Sequence, residues 1–210
     1  DAGYYEHLEH VIQRKTPLIF IDREYEDFET SRATVDDYHG AFAAVEHLIS
    51  IGYKQIAHLK GPNGLTVSEQ RFKGYINCLK KYNMPIREDL ILNTNFNVES
   101  AILPTKRLLE LASPPDAIFG VNDQVAIGAM RVAKDKGLRI PQDIGLVGFD
   151  NSPISAYTFP SLTTVHRPGR KIGMEASRLF LNQLNGSGDF APESIVLPSE
   201  LVIRESSLRI

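Results

Sequence analysis

Four short apolar runs in this chain end abruptly on a polar residue, and a stretch of helical character follows. Leu18-Ile19-Phe20-Ile21 closes on Asp22, and Ile56-Ala57-His58-Leu59 closes on Lys60-Gly61-Pro62. Ala117-Ile118-Phe119-Gly120-Val121 closes on Asn122-Asp123, and Ile144-Gly145-Leu146-Val147-Gly148-Phe149 closes on Asp150-Asn151. Continuous apolar runs of this length read as strands buried on both faces, which means parallel strands covered by helices. The alternation of strand and helix gives an α/β architecture with right-handed crossovers. In such sheets ligands bind outside the carboxyl ends of the strands, and Asp22, Asn122 and Asp150 sit at those ends. The pattern therefore predicts a binding crevice lined by carboxylates and an amide.

The rest of the chain fills in the helices. Residues 4–15 carry Leu8, Val11 and Ile12 at helical spacing, and Thr16-Pro17 stops them. Residues 24–34 are polar and acidic and read as an exposed loop. Asp36 or Asp37 can cap a helix running to Ile51, with Gly52 at its end. Further helices are predicted near 69–82, near 99–112 up to Ser113-Pro114-Pro115, from an Asp123 cap to Lys136 before Gly137, and over 170–184. Short strands are predicted at Ile91-Leu92, Leu162-Thr163-Thr164-Val165 and Leu201-Val202-Ile203.

With 210 residues, 42% of them hydrophobic, the chain can build one sizeable core or two smaller ones. A net charge of −3 argues against a nucleic-acid-binding surface on this segment. The single cysteine, Cys78, makes no intrachain disulfide and fits a reducing, cytoplasmic setting. Residues 1–7 resemble neither a signal nor a transit peptide, and no run approaches the length of a membrane span.

Several motifs have plainer readings. His7 and His10 lie three apart on the first helix but lack a third ligand, so they read as a solvated face and not as a metal site. Gly61-Pro62-Asn63-Gly64 lacks the Lys-Ser/Thr of a phosphate-binding loop and reads as a turn. Cys78, beside Ile76 and Leu79, reads as packing. No nucleophile–base pair or metal cluster points to an enzyme, and no cofactor is indicated. Arg71 offers a donor fork beside the loop at 61–68, against the plainer reading of a surface salt bridge.

The residues also carry a family pattern. Asp36-Asp37-Tyr38-His39-Gly40-Ala41, His47-Leu48-Ile49-Ser50-Ile51-Gly52, the 56–62 run and Arg71-Phe72-Lys73-Gly74-Tyr75 resemble the LacI/GalR family of bacterial transcription regulators. The match continues through Pro115 to Asp123, Ala126-Ile127-Gly128-Ala129-Met130, Ile140 to Ile144, Val147 to Asn151, Pro160 to Val165 and Glu200 to Ser206. It runs the length of the chain, in order.

The resemblance implies a two-lobed fold like that of periplasmic binding proteins (type I), with parallel sheets flanked by helices and the effector held between the lobes. The crossovers would fall near Val35-Asp36, His166-Arg167 and Pro198. That places 1–35 and 167–197 in an amino-terminal lobe, incomplete here, and 36–166 and 198–210 in a carboxyl-terminal lobe. Effector contacts carry over to Asp22, Arg71, Phe96, Asn122 and Asp150, with Phe96 as the aromatic that stacks on a sugar face. A planar, purine-like effector could use the same ring. Helices at 97–112 and 123–136 hold apolar residues beyond one core face (Val98, Ile102, Ile127, Met130). With Tyr157 these imply a homodimer interface. The family's helix-turn-helix is absent from this sequence, so operator DNA would be a partner only through a head domain elsewhere. The reading is a cytoplasmic effector sensor cut inside its core, whose first lobe should expose apolar surface. The alternative is a periplasmic sugar-binding protein serving a transporter, since fold alone does not separate the two.

Overall fold

A computed structural model describes residues 6–14, 16–22, 29–185 and 191–209. The elements run α1 (Glu6–Gln13), β1 (Ile19–Ile21), β2 (Ser31–Val35), α2 (Asp37–Ser50), β3 (Ile56–Lys60), α3 (Thr66–Lys81), β4 (Ile91–Asn93) and α4 (Val98–Leu109). They continue with β5 (Ala117–Gly120), α5 (Asp123–Asp135), β6 (Gly145–Asp150), β7 (Thr163–His166), α6 (Gly169–Asn185), β8 (Ser194–Leu197) and β9 (Glu200–Val202). They build two sheets, a three-stranded one in the order β1-β2-β8 and a six-stranded one in the order β4-β3-β5-β6-β7-β9. All pairings are parallel except β7 with β9. The chain passes between the sheets after β2, after β7 and after β8.

The large sheet is covered on both faces, as the apolar runs require. Along β5, Ile118 packs with α4 and α5 through Ala101, Leu108, Val125 and Ala129. Its neighbours Ala117 and Phe119 face α2 and α3, against Val45, Leu48, Tyr75 and Leu79. Alternate residues of one strand thus enter two cores, which is why the run has no polar position. Cys78 is fully buried in the second core, and burial pushes its thiol up to about 12, so packing is its role.

His58 in β3 shares that core. Its Nδ1 lies 2.9 Å from the carbonyl of Phe119, and its ring stacks on Phe119 and Tyr75. Burial holds its pKa at about 4 against an ordinary 6.5. A histidine buried neutral stabilises the fold fully above the unfolded value, and that contribution is lost as pH falls from 6.5 toward 4. Urea midpoints of the wild type minus those of His58→Phe should therefore decline through that window. A difference that stays constant with pH would contradict this assignment.

Two sequence expectations are corrected, and one strand was missed. Residues 31–35 lie in a strand: β2 is the central strand of the small sheet, with Ser31, Ala33, Thr34 and Val35 buried. The part of that expected loop at 24–28 is outside the described residues. The hydroxyl of Ser31 accepts from Gln183 Nε2 (2.6 Å) and from the amide of Glu193 (3.0 Å), which makes a polar strand tolerable inside. β8 was not expected. The cap of α5 is Asn122, whose Oδ1 accepts from the amide of Val125 at 2.9 Å. Asp123 is instead buried, accepting from Thr164, Ser152 Oγ and the amide of Ser152.

The small sheet carries the apolar exposure expected of the first lobe. β1 has one partner among the described strands, and Ile21 is 50% exposed. A groove of ≈530 Å³ between Leu18, Ile19 and Ile21 and the α6 residues Phe180 and Leu181 lines this face. α1 presents Leu8, Val11 and Ile12 half-buried and His10 exposed, while the side chain of His7 is outside the described residues.

Candidate functional site

Strand ends from both sheets meet in one cavity of ≈160 Å³, lined by Asp22, Val67, Arg71, Phe96, Asn122, Asp150 and Arg167. All five residues carried over as effector contacts are among them. Asp22 follows β1 of the small sheet. Asn122 follows β5, Asp150 ends β6, Phe96 follows β4, and Arg71 rises from α3. Larger grooves lie on α6 and beside α2, but neither brings strand ends of the small sheet together with those of β5 and β6.

Backbone strain concentrates here. The described non-glycine residues with positive φ are Asp22 (69°), Asn83, Phe96 (59°), Asp150 (109°) and Asn151. Three of the five line the cavity. Such conformations cost of order 1–3 kcal/mol each and cluster at ligand sites. They turn the side chains inward at the points where strands stop.

The charged side chains form an alternating series across the cavity. Arg71 is buried. Its Nε donates to Asp37 Oδ1 at 2.7 Å, one terminal nitrogen donates to the carbonyl of Val121 at 2.7 Å, and the guanidinium lies 3.7 Å from the centre of the Phe149 ring. Its other nitrogen lies 3.6 Å from Asp150 Oδ1. Arg167 reaches Asp150 at 3.9 Å on one side and pairs directly with Asp22 on the other. The order is Asp37–Arg71–Asp150–Arg167–Asp22. The plainer reading of Arg71 as a surface ion pair is thereby excluded: it is 3% exposed.

Burial raises the pKa of Asp37, with Arg71 opposing, and burial raises that of Asp150, with Arg71 and Arg167 opposing. For Arg167 burial acts downward, but Asp22 and Asp150 outweigh it and the net direction is up. At its 2.7 Å contact with the Arg71 guanidinium, Asp37 is held as the anion. The amide of Asn122 is largely committed: its Oδ1 caps α5, and its Nδ2 donates to the carbonyl of Phe96 at 3.0 Å. It therefore fixes the Phe96 wall as well as facing the cavity. Phe96 can pack there because residue 61 is glycine: a Cβ at that position would sit 2.9 Å from the ring.

Sequence reasoning missed Arg167, named only as part of a crossover, and the role of Asp37, named only as an alternative cap. Of the residues expected at an interface, Val98, Ile102 and Ile127 are half-buried and Tyr157 is 83% exposed. Met130 is corrected: at 4% exposure it lies on the inner side of α5, in the core cluster that also holds Leu108, Ala129 and Ala133. Ile154 and Phe159, both exposed, flank Tyr157 and were not anticipated. Among the described residues no group of three or more His, Cys, Asp or Glu could hold a metal ion, and no helix is long and apolar enough to cross a membrane.

Two sheets, parallel except for β9 and joined by three crossovers, with a polar cavity where their strand ends meet, define a ligand-binding core of the periplasmic-binding-protein type. The periplasmic binding protein-like domain family matches residues 45–207, and the chain belongs to it, in the branch of LacI/GalR regulators. A protein of Bacillus subtilis (strain 168) named "Probable HTH-type transcriptional repressor ExuR" is 34% identical over 201 residues, covering 96% of this chain and 60% of that protein. CytR of Escherichia coli (strain K12) is 32% identical over 196 residues, covering 93% and 57%. Among solved structures, a transcriptional regulator CelR–cellobiose complex superposes with a TM-score of 0.89 at 28% identity, covering 95% of this chain and 61% of that chain. A LacI family regulator from Enterococcus faecium with bound ribose gives 0.86 at 26% identity, covering 97% and 75%. The chain spans about three fifths of the length of the curated relatives it matches. Those relatives are named as regulators and not as enzymes.

Proposed function

We propose that this chain is the effector-sensing core of a LacI-type transcription regulator. It binds a small polyhydroxylated molecule, a sugar, between a lobe of residues 1–35 and 167–197 and a lobe of residues 36–166 and 198–210. The observation that carries the reading is the convergence of Asp22, Arg71, Phe96, Asn122 and Asp150 on one cavity between two sheets. The carboxylates accept from hydroxyls, the guanidiniums donate to them, and the Phe96 ring offers an apolar face. The sugars bound by the CelR and E. faecium relatives support this ligand class. At ≈160 Å³ the cavity is below the usual range of roughly 300–1,000 Å³ for ligand pockets. Binding is therefore accompanied by parting of the lobes or by Arg167 swinging aside. No cofactor takes part.

In this reading the regulator works in the cytoplasm. Operator DNA is bound by a helix-turn-helix outside these residues, and occupation of the cleft changes that binding. Isothermal titration of the intact protein with ribose, cellobiose and other neutral mono- and disaccharides tests the ligand class. Saturable binding that also shifts operator affinity is expected. A panel without a binder sinks the sugar reading.

The carboxyl-terminal lobe would form the homodimer through Tyr157, with Val98, Ile102 and Ile127 nearby. Ile154, Tyr157 and Phe159 are large apolar side chains exposed within six residues of one another. Tyr157→Glu is expected to weaken the dimer ~10-fold or more, read by light scattering across a dilution series. An unchanged dimer, or a wild type that is monomeric at micromolar concentration, counts against this interface.

A further inference from the structure

We propose that Arg204 is a positioning residue for the cleft: acting through Asn151, it sets the turn on which Asp150 presents its carboxylate. Its bearing on ligand binding rests on Asp150 being an effector contact. Arg204 follows β9 and stands outside the cavity lining.

Asp150 does not hold itself in place. Its φ of 109° is strained, and its carboxylate has no hydrogen bond among the described residues, lying 3.6 Å from Arg71 and 3.9 Å from Arg167. Asn151 follows with a second positive φ, of 50°. Such residues persist only where the surroundings over-determine them. Here the grip falls on the two residues after Asp150. Ser152 donates through its amide and its hydroxyl to Asp123 Oδ2, at 2.7 and 2.8 Å. The amide of Asn151 donates to Thr164 Oγ1 at 3.2 Å. The Asn151 side chain is held from both ends: Arg204 Nη2 donates to its Oδ1 at 2.7 Å, and its Nδ2 lies 3.2 Å from His166 Nδ1.

A guanidinium only donates, so the atom it meets is the Asn151 oxygen. That turns the amide nitrogen, also a donor, toward His166, whose Nδ1 must then accept. Among the described residues Asn151 is the one hydrogen-bond partner of the His166 ring. Asp150 and Glu200 are the register partners of His166 on β6 and β9, and neither bonds that ring. Arg204 thus dictates the tautomer of His166 through Asn151. Arg204 is itself anchored. Its backbone exchanges two hydrogen bonds with the Thr163 hydroxyl, and Nη1 donates to the Leu162 carbonyl at 2.8 Å and to Ser155 Oγ at 2.9 Å. All three acceptors of its side chain are neutral, so the fork places groups and does not neutralise a charge.

The first test needs no effector. Histidine-selective ¹⁵N NMR of the intact protein at pH 8, where an ordinary imidazole is neutral, reads the tautomer of His166, assigned with His166→Gln. The wild type is expected to carry the proton on Nε2. Asn151→Asp keeps an acceptor for Arg204 but removes the donor, so the proton should move to Nδ1. Arg204→Gln should shift the His166 signals and the amides of residues 150–152. Arg209→Gln, which removes a guanidinium stacked on Tyr53 in the same segment, should leave both unchanged. A wild-type His166 protonated on Nδ1, or wild-type signals in Asn151→Asp, overturns the proposal even where Arg204→Gln fails to fold. So does a folded Arg204→Gln with wild-type signals. The second test is calorimetry of the same proteins with ribose and with cellobiose. Whichever sugar binds the wild type should bind Arg204→Gln roughly 10-fold more weakly, and equal affinity overturns the positioning role. A wild type that shows the expected tautomer and binds neither sugar contradicts the ligand class alone, since the NMR signals decide the positioning.

Discussion

Asp37→Ala is expected to cost the fold about 3–5 kcal/mol, because it strips the partner from a buried guanidinium. Asp37 and Arg71 are 7% and 3% exposed, and their 2.7 Å bond is the closest ionic contact of Arg71 among the described residues. Without it, Arg71 keeps the Val121 carbonyl and the face of Phe149, and Asp150 stands 3.6 Å away. A neutral acceptor cannot balance a full charge in the interior. Asp37→Asn keeps an acceptor in place and should cost less. Urea denaturation of the three proteins measures the difference. A loss below about 1 kcal/mol for the alanine variant would mean that Asp150 moves in to take over, and that Arg71 belongs to the cleft more than to the core.

Asp150→Ala is expected to weaken effector binding by on the order of 1–3 kcal/mol, roughly ten-fold to a hundred-fold or more in affinity. Asp150 ends β6 at a strained φ of 109° and lies between Arg71 and Arg167 without bonding closely to either. Its acceptor capacity is therefore available to a ligand, whereas Asp22 is paired with Arg167 and Asn122 is spent on a cap and a carbonyl. Titration calorimetry with whichever sugar binds the wild type reads the effect. An equal loss of folding stability would point instead to a role in holding the two arginines apart, so the denaturation midpoint is measured alongside.

The central strands β3, β5 and β6 of the large sheet could be read from sequence because a strand that enters two cores is apolar along most of its length. β2 could not. Ser31-Arg32-Ala33-Thr34-Val35 follows an acidic stretch, and its central place depends on β8 and on Gln183, 152 positions away. Nothing local announces such a partner. The site divides the same way. Asp22, Asn122 and Asp150 were visible because an apolar run that stops on a polar residue marks a strand end. Phe96, which no run announces, came only through the family resemblance, whereas Arg71 was already marked as a donor fork beside the loop at 61–68. Arg167 was not visible, since its meaning lies in Asp22, 145 positions earlier in the chain. Nor does sequence reveal that the amide of Asn122 is committed to Val125 and Phe96. Met130 failed as an interface residue for a related reason: surplus apolar residues on a helix show that two faces are covered, not which residue lies on which.

The most direct measurement of the central claim is a crystal structure of the intact protein with a metabolite that raises its melting temperature. The account predicts ligand density between the two sheets, within hydrogen-bond reach of Asp150 and Arg71, against the ring of Phe96, with Arg167 drawn off Asp22. A ligand bound elsewhere, with the Arg167–Asp22 pair intact and the cleft unchanged, would contradict it.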